Sequence, residues 1–498
     1  MTTTGTGQGT GSGSSNGSGS WLRRVGAEVE TVGVEPVPDD QRRTTPGKLL
    51  VVWAMTSASA TTPLIGMLLY PYGLWYMVGA IVLTWAIFMI PTGLFSEMGR
   101  HLPLTALVVA RRNFGWSATF LLSILFTFVN MAWFGLNTAT GALVLAALTH
   151  TGASPWYWIV GGVDIVLVLF GFKWLEYFYR YTAVLLVACY AALTVYLFLH
   201  YHVHVPHQTA PMQWGTAAST VAGFSIVAWM YKVSTISRFA RPADGADGSG
   251  RRHGQHHRGR QQAAYLLVPA VGIMLPVLLM GVMGAFSQEA IGNWNIAVLG
   301  AHISGWGAVA AVGAALGVLH TNAMNLYPST VDLLVSLNTA RRPTKWDQPI
   351  ATVVLGVLGT ALAQAGILSH AQTFITDVGD LLGPFAFVML VDWLWGLRDR
   401  ADAATYFARP SRMFGDWRVA PIISFLVGFV LAYWGHDFLP GWFIRQIPIT
   451  AVASLVAALL YGLWLALTGS PAAGSRGPAA PAEPSNRTDP AIRLNARD

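Results

Sequence analysis

Twelve apolar stretches, separated by short polar or charged segments, suit this chain to only one folding environment, a lipid bilayer. They run roughly over residues 49–70, 74–96, 117–148, 156–172, 178–200, 215–237, 264–287, 305–336, 349–367, 372–396, 419–436 and 446–468. About 20 apolar residues carry a helix across the hydrocarbon layer, and lipid supplies no partners for open backbone groups. The stretches therefore predict an all-α membrane protein of twelve transmembrane helices. A composition of 53% hydrophobic and 11% charged residues excludes an ordinary soluble domain. Positive charge sets the orientation. With the N-terminus inside, every one of the 30 lysines and arginines except Arg445 falls on the inner side. The chain thus reads as a multi-pass protein of the plasma (inner) membrane with both termini cytoplasmic. Its net charge of +7 is a topology signal, not the footprint of a nucleic-acid partner.

The flanks differ from this membrane domain, which spans 48–468. Residues 1–47 begin with a Gly/Ser/Thr tract that lacks the apolar core of a signal peptide, and 469–498 are rich in Pro, Ala and Gly. Both read as disordered tails. Residues 241–263 form a cytoplasmic loop that includes Arg251-Arg252-His253-Gly254-Gln255-His256-His257. Histidines on so flexible a backbone fix no metal geometry, so the loop reads as a solvated linker. Cys189 is the only cysteine, which excludes an intrachain disulfide and a cysteine metal centre. No nucleophile–base or metal-ligand constellation appears, so neither an enzyme nor a bound cofactor is expected.

Polar residues inside the spans carry the chemistry. In span three, Asn130, Trp133 and Asn137 share one helical face. A buried amide in lipid needs a partner, so this face is either a binding pocket or a helix–helix hydrogen-bonding seam. Span one contains Thr56-Ser57-Ala58-Ser59-Ala60-Thr61-Thr62-Pro63, and span six contains Ala222-Gly223-Phe224-Ser225. Hydroxyl-rich runs with Gly or Pro are poor at continuing a helix. Breaks in spans one and six are what two inverted five-helix halves would produce at a midplane site. Span eight carries His320-Thr321-Asn322-Ala323-Met324-Asn325, with Thr321 and Asn325 on one face and His320 able to carry a proton or serve structurally. Asp164 lies mid-way along span four, a functional candidate by position. In span six, Ser225, Trp229 and Lys232 share a face, with Lys232 read as snorkelling toward the cytoplasmic end.

Several short motifs resemble those of the nucleobase:cation symporter family, the purine–cytosine permeases. They are Gly33-Val34-Glu35-Pro36-Val37-Pro38, Arg111-Arg112-Asn113-Phe114-Gly115, Trp133-Phe134-Gly135, Ser237-Arg238-Phe239-Ala240-Arg241, Asn325-Leu326-Tyr327 and Asp392-Trp393. They occur in the family's order, over about Glu28 to Phe407. The resemblance implies a 5+5 inverted-repeat, leucine-transporter-type fold plus two C-terminal helices. It implies a planar nitrogen heterocycle stacked on Trp133, with Asn130 and Asn137 standing where relatives carry glutamine. The family's span-six aromatic aligns with Ile226, one turn before Trp229. A sodium ion would be held near Thr56 and Ala60 and by a span-eight pair that is here His320-Thr321. Imidazole in place of a hydroxyl favours a proton, and Thr235 replaces the family's acidic residue before the span-six arginine.

The expected function is symport of a nucleobase-like ring with H⁺ or Na⁺ by alternating access, through a monomer in the bilayer. Substrate contacts are expected from Trp133, Asn130, Asn137, Ser225, Ile226, Trp229, Asn322, Asn325 and Ser59. Cation coupling is expected from Thr56, Ala60, His320, Thr321 and Asp164, with Na⁺ at Thr56, Ala60 and Thr321. An amino-acid or amine carrier of the same fold and a non-transporting sensor are the rivals. The first would need an exposed helix terminus for a carboxylate, the second a signalling module that the tails lack.

Overall fold

The computed structural model describes residues 33–242, 255–301, 303, 305–396, 403, 406 and 415–469. Its regular structure is helical throughout, apart from one isolated bridge between Thr44 and Ala240. In chain order the helices are α1 (Pro46–Ser57), α2 (Leu64–Leu69), α3 (Leu74–His101), α4 (Ala106–Phe114), α5 (Trp116–Thr149), α6 (Ala153–Leu169), α7 (Phe172–His200) and α8 (Trp214–Phe224). They continue as α9 (Ile226–Ser237), α10 (Gln255–Ile291), α11 (Gly307–Ala340), α12 (Asp347–Gln364), α13 (Ala371–Gly396), α14 (Val419–Phe438), α15 (Gly441–Gln446) and α16 (Ile449–Thr468). Eight helices are long and apolar enough to cross a bilayer by length and composition: α3, α5, α7, α10, α11, α13, α14 and α16. The four other expected spans correspond to the interrupted pairs α1/α2 and α8/α9, the 17-residue α6 and the 18-residue α12.

The helices sort into two packed groups. α5 and α11 pack along their length and are flanked by α6 and α12. Opposite them, α1 and α3 pack on α10, while α9 lies on α3 and α8 on α13. α14 and α16 cover the outer side of α13. Side chains such as Leu459, Leu467 and Val184 remain exposed on the perimeter, as a lipid-facing surface requires.

Both helix breaks form where the hydroxyl-rich runs predict them. α1 stops at Ser57, and the freed groups are met locally. The Thr62 hydroxyl donates to the Ser57 carbonyl at 2.6 Å, the Ser59 hydroxyl accepts from Thr61 N at 3.2 Å, and Asn295 Nδ2 donates to the Ala60 carbonyl at 3.2 Å. α8 ends at Ser225 (φ −132°, ψ −88°), whose hydroxyl donates to the Val221 carbonyl at 2.7 Å. Breaks this deep persist only where side chains replace the lost helical bonds.

Gly317 allows α11 to lie against the first break. A Cβ there would stand 2.9 Å from Ala60 N and 3.3 Å from the Ala58 carbonyl. Gly317→Val is therefore expected to push α11 off the break and to cost ~1–3 kcal/mol, read as a lower Tm of the detergent-solubilised protein. An unchanged Tm would show that the contact is dispensable.

Residues 33–45, expected to belong to a disordered tail, are packed. Val34 and Val37 are buried, Val37 N bonds the Pro103 carbonyl at 3.0 Å, and Thr44 N bonds the Phe239 carbonyl at 3.0 Å. Arg238 donates to the Gly33 carbonyl at 2.8 Å and to the Tyr327 hydroxyl at 2.9 Å. The apolar valines and the arginine provide the burial and hydrogen bonds that a free tail lacks. Residues 1–32, 243–254 and 470–498 lie outside the described residues; of the expected flexible loop 241–263, residues 255–263, with His256 and His257 of the His/Arg run, form the start of α10 instead. The same end of the molecule is stapled by buried ion pairs, Arg100–Glu97 at 2.7 Å and Arg112–Asp392 at 2.9 Å. The Tyr461 hydroxyl donates to Asp392 at 2.8 Å.

Candidate substrate and cation site

The two breaks face each other across α5 and α11 and line a narrow cleft of ≈ 20 Å³. That is room for about one water, so a ring enters only when the walls part. Trp133 on α5 forms one wall. Its ring meets Phe224 edge-on at 6.0 Å and Phe374 at 5.2 Å, which fixes its orientation. Trp229 on α9 also lines the cleft, braced edge-on by Trp53 at 6.0 Å. Asn137 sits one turn beyond Trp133. Its Nδ2 donates to the Trp133 carbonyl at 2.8 Å and its Oδ1 accepts from the Ser59 hydroxyl at 3.0 Å, tying α5 to the first break. Asn325 and Thr321 approach from α11.

Of the residues expected to touch substrate, Trp133, Asn137, Ser59, Ser225, Trp229 and Asn325 line this cleft. Three do not, and each has a physical reason. Ile226 is fully buried outside the cleft, because the break at Ser225 resets the helical phase and turns Phe224, Ala228 and Trp229 inward. The wall is aromatic where an aliphatic one was expected. Asn130 donates to the Tyr231 hydroxyl at 2.7 Å and to Asp332 Oδ2 at 3.0 Å, two turns away from Asn137. Asn322 donates to the Thr138 hydroxyl at 2.8 Å and to Asp164 Oδ2 at 3.0 Å, toward α5 and α6 and outside the cleft.

The expected cation residues divide in the same way. Thr56 and Thr321 converge: the Thr321 hydroxyl donates to the Thr56 carbonyl at 2.5 Å and lies 3.1 Å from the Gly317 carbonyl. Three oxygens, two from backbone carbonyls, are a donor set suited to a hard monovalent cation. Ala60 turns its carbonyl to Asn295 instead. His320 faces α7, with Nε2 2.6 Å from the Thr182 hydroxyl and its ring edge-on to Phe178 and Tyr179. Asp164 is fully buried against Asn322 and does not reach the cleft. Among the described residues, no group of three His, Cys, Asp or Glu side chains is placed to bind a metal ion.

Sequence reasoning missed Phe224 and Ala228 as wall residues and the buried Tyr231–Asp332 pair that holds Asn130. It also misread Lys232. That side chain is 1% exposed and lines the cleft, with Nζ 4.2 Å above the Trp229 ring and donating to Asn325 Oδ1 at 3.2 Å. The shared face of Ser225, Trp229 and Lys232 was the available signal.

The bundle is helical, has helices long and apolar enough to cross a membrane, and holds a buried cleft between two interrupted helices. The chain belongs to the family described as permeases for cytosine/purines, uracil, thiamine and allantoin, whose model matches residues 36–463. It is 23% identical over 450 residues to the hydantoin permease of Microbacterium maritypicum, covering 83% of this chain and 89% of that one. It is 24% identical over 439 residues to the cytosine permease of Escherichia coli (strain K12), covering 86% and 92%. Its fold is similar to that of Mhp1, a nucleobase-cation-symport-1 family transporter, in a closed conformation with bromovinylhydantoin bound. The TM-score is 0.71 at 19% identity, over 89% of this chain and 96% of Mhp1. The chain is thus a multi-pass membrane permease of leucine-transporter-type fold.

Proposed function

We propose that the protein imports a small planar nitrogen heterocycle of the nucleobase and hydantoin class, in symport with Na⁺. The observation that carries the reading is the cleft between Trp133 and Trp229, two aromatic walls set around hydrogen-bonding groups. The substrates named in the family's description and the hydantoin bound in Mhp1 are rings of this kind. Sodium is favoured over a proton because Thr56, Gly317 and Thr321 present oxygens to one point, whereas His320 is turned away and engaged with Thr182. The Thr321 hydroxyl would keep its proton, turn it away and coordinate the cation through its oxygen, alongside the two carbonyls. It would thereby tie α11 to the broken end of α1, so that cation and ring stabilise the same state of the bundle. The charge distribution along the chain supports cytoplasmic termini and a plasma-membrane location. The cleft lies within one chain, so a monomer suffices.

Uptake of radiolabelled hydantoin, cytosine and allantoin into proteoliposomes tests this. Uptake should be driven by an inward Na⁺ gradient, disappear when choline replaces Na⁺, and resist a protonophore. Thr321→Val should remove the Na⁺ stimulation. Protonophore-sensitive uptake that ignores choline would place the coupling ion elsewhere.

A further inference from the structure

Every side chain in the cleft that is committed by chemistry to one hydrogen-bonding role is a donor. The Lys232 ammonium has three N–H donors and no acceptor, so the oxygen of Asn325 must be the atom that faces it at 3.2 Å. That contact fixes the amide, and Asn325 Nδ2 is left buried without a partner. Trp133 Nε1 is likewise buried and unpartnered. The acceptor oxygen of Asn137 is already taken by Ser59. No carboxylate lines the cleft.

Among the described residues, none forms an ion pair with Lys232. It is buried, its polar partner is a neutral amide, and its other neighbour is the face of Trp229. Asp332 lies two turns along α11 from Asn325. Its Oδ2 is engaged by Asn130 and Tyr231, each at 3.0 Å, and no ion pair joins Asp332 to Lys232. A buried cation is stable when paired and hydrogen-bonded, and two of the ammonium's three donors are free to meet a ligand.

We infer that Lys232 makes this cleft selective for an acidic heterocycle, a ring bearing an ionised imide or a ring carboxylate, and makes it reject cationic rings. The inference rests on the reading of the cleft as a heterocycle site and narrows it. The anion would sit on the Lys232 ammonium and take further hydrogen bonds from Asn325 Nδ2 and Trp133 Nε1 while its ring lies between the two tryptophans. A ring whose edge is mainly amino groups offers donors to donors, and a cationic ring such as thiamine meets the ammonium's repulsion.

Matched ligands separate the possibilities. Orotate is uracil with a carboxylate, so the two share a ring and differ in charge. Binding to the purified full-length protein in Na⁺ buffer should favour orotate over uracil by roughly tenfold or more, the gain from one charge-assisted hydrogen bond. Thiamine should not bind. In Lys232→Met the orotate-to-uracil ratio should fall toward one. Equal binding of orotate and uracil by the wild type, preference for uracil, or an unchanged ratio in Lys232→Met would overturn the selectivity. Those outcomes leave the heterocycle site standing, whereas failure of every heterocycle, neutral or anionic, to bind the wild type would sink both. The wild-type ratio needs no variant, so a misfolded Lys232→Met does not blunt the test.

Discussion

Trp133→Ala is expected to weaken heterocycle binding by about tenfold or more and to reduce uptake to background. Base–aromatic stacking is worth ~1–3 kcal/mol per ring by alanine substitution, and each 1.4 kcal/mol is about a factor of ten. The loss should exceed that of a free-standing stack for a structural reason. Trp133 is 5% exposed, and Phe224 and Phe374 lean on its ring edges. Removing the indole lets both phenylalanines collapse into the ring's position. Trp133→Phe keeps a flat face and should recover most of the binding, losing only the Nε1 donor. Equilibrium binding and proteoliposome uptake on variants that match the wild type in membrane insertion would check this. Wild-type uptake by Trp133→Ala would remove the stacking wall from the mechanism.

Asp332→Ala is expected to be the most destabilising single change in the α11 core. Asp332 is 1% exposed and accepts from both Asn130 and Tyr231. Alanine leaves the Tyr231 hydroxyl without its acceptor and Asn130 Nδ2 with only its bond to Tyr231. Leaving a buried polar group without its hydrogen-bond partner costs ~1–3 kcal/mol. Asp332→Asn keeps an acceptor oxygen and should cost clearly less. Thermal unfolding in detergent should rank wild type above Asp332→Asn above Asp332→Ala. Equal midpoints for the two variants would show that the acceptor does not matter.

The sequence made the location of the cleft readable and left its walls partly hidden. Thr56 through Pro63 and Ala222 through Ser225 announced the helix breaks, because hydroxyls and glycine weaken helices wherever they occur. Trp133 and Asn137 followed from their position on α5. Asn130 shows the limit of such reasoning. It shares a face with Asn137, but seven residues at about 1.5 Å each put it roughly 10 Å along the helix, beyond one small ring. Periodicity reports direction, not depth. Ile226 failed for a second reason: counting from α8 carries no phase across the irregular Ser225 backbone. Asn322 and Asn325 look alike in sequence, yet three residues turn them about 60° apart, enough to send one to Asp164 and the other into the cleft. Lys232 lay near the end of an apolar stretch, where snorkelling is the usual fate of lysine. Only the packing of α9 against α11, which brings Asn325 to its ammonium, identifies it as a cleft residue.

The most direct measurement is a cryo-EM map of the full-length protein in nanodiscs with Na⁺ and the tightest-binding heterocycle from the binding series. The expected result is ring density in van der Waals contact with both Trp133 and Trp229, with a polar edge on Asn325 and Lys232 and ion density between the Thr56 carbonyl and the Thr321 hydroxyl. A ring bound elsewhere, with the Trp133–Trp229 cleft empty, would contradict the central claim.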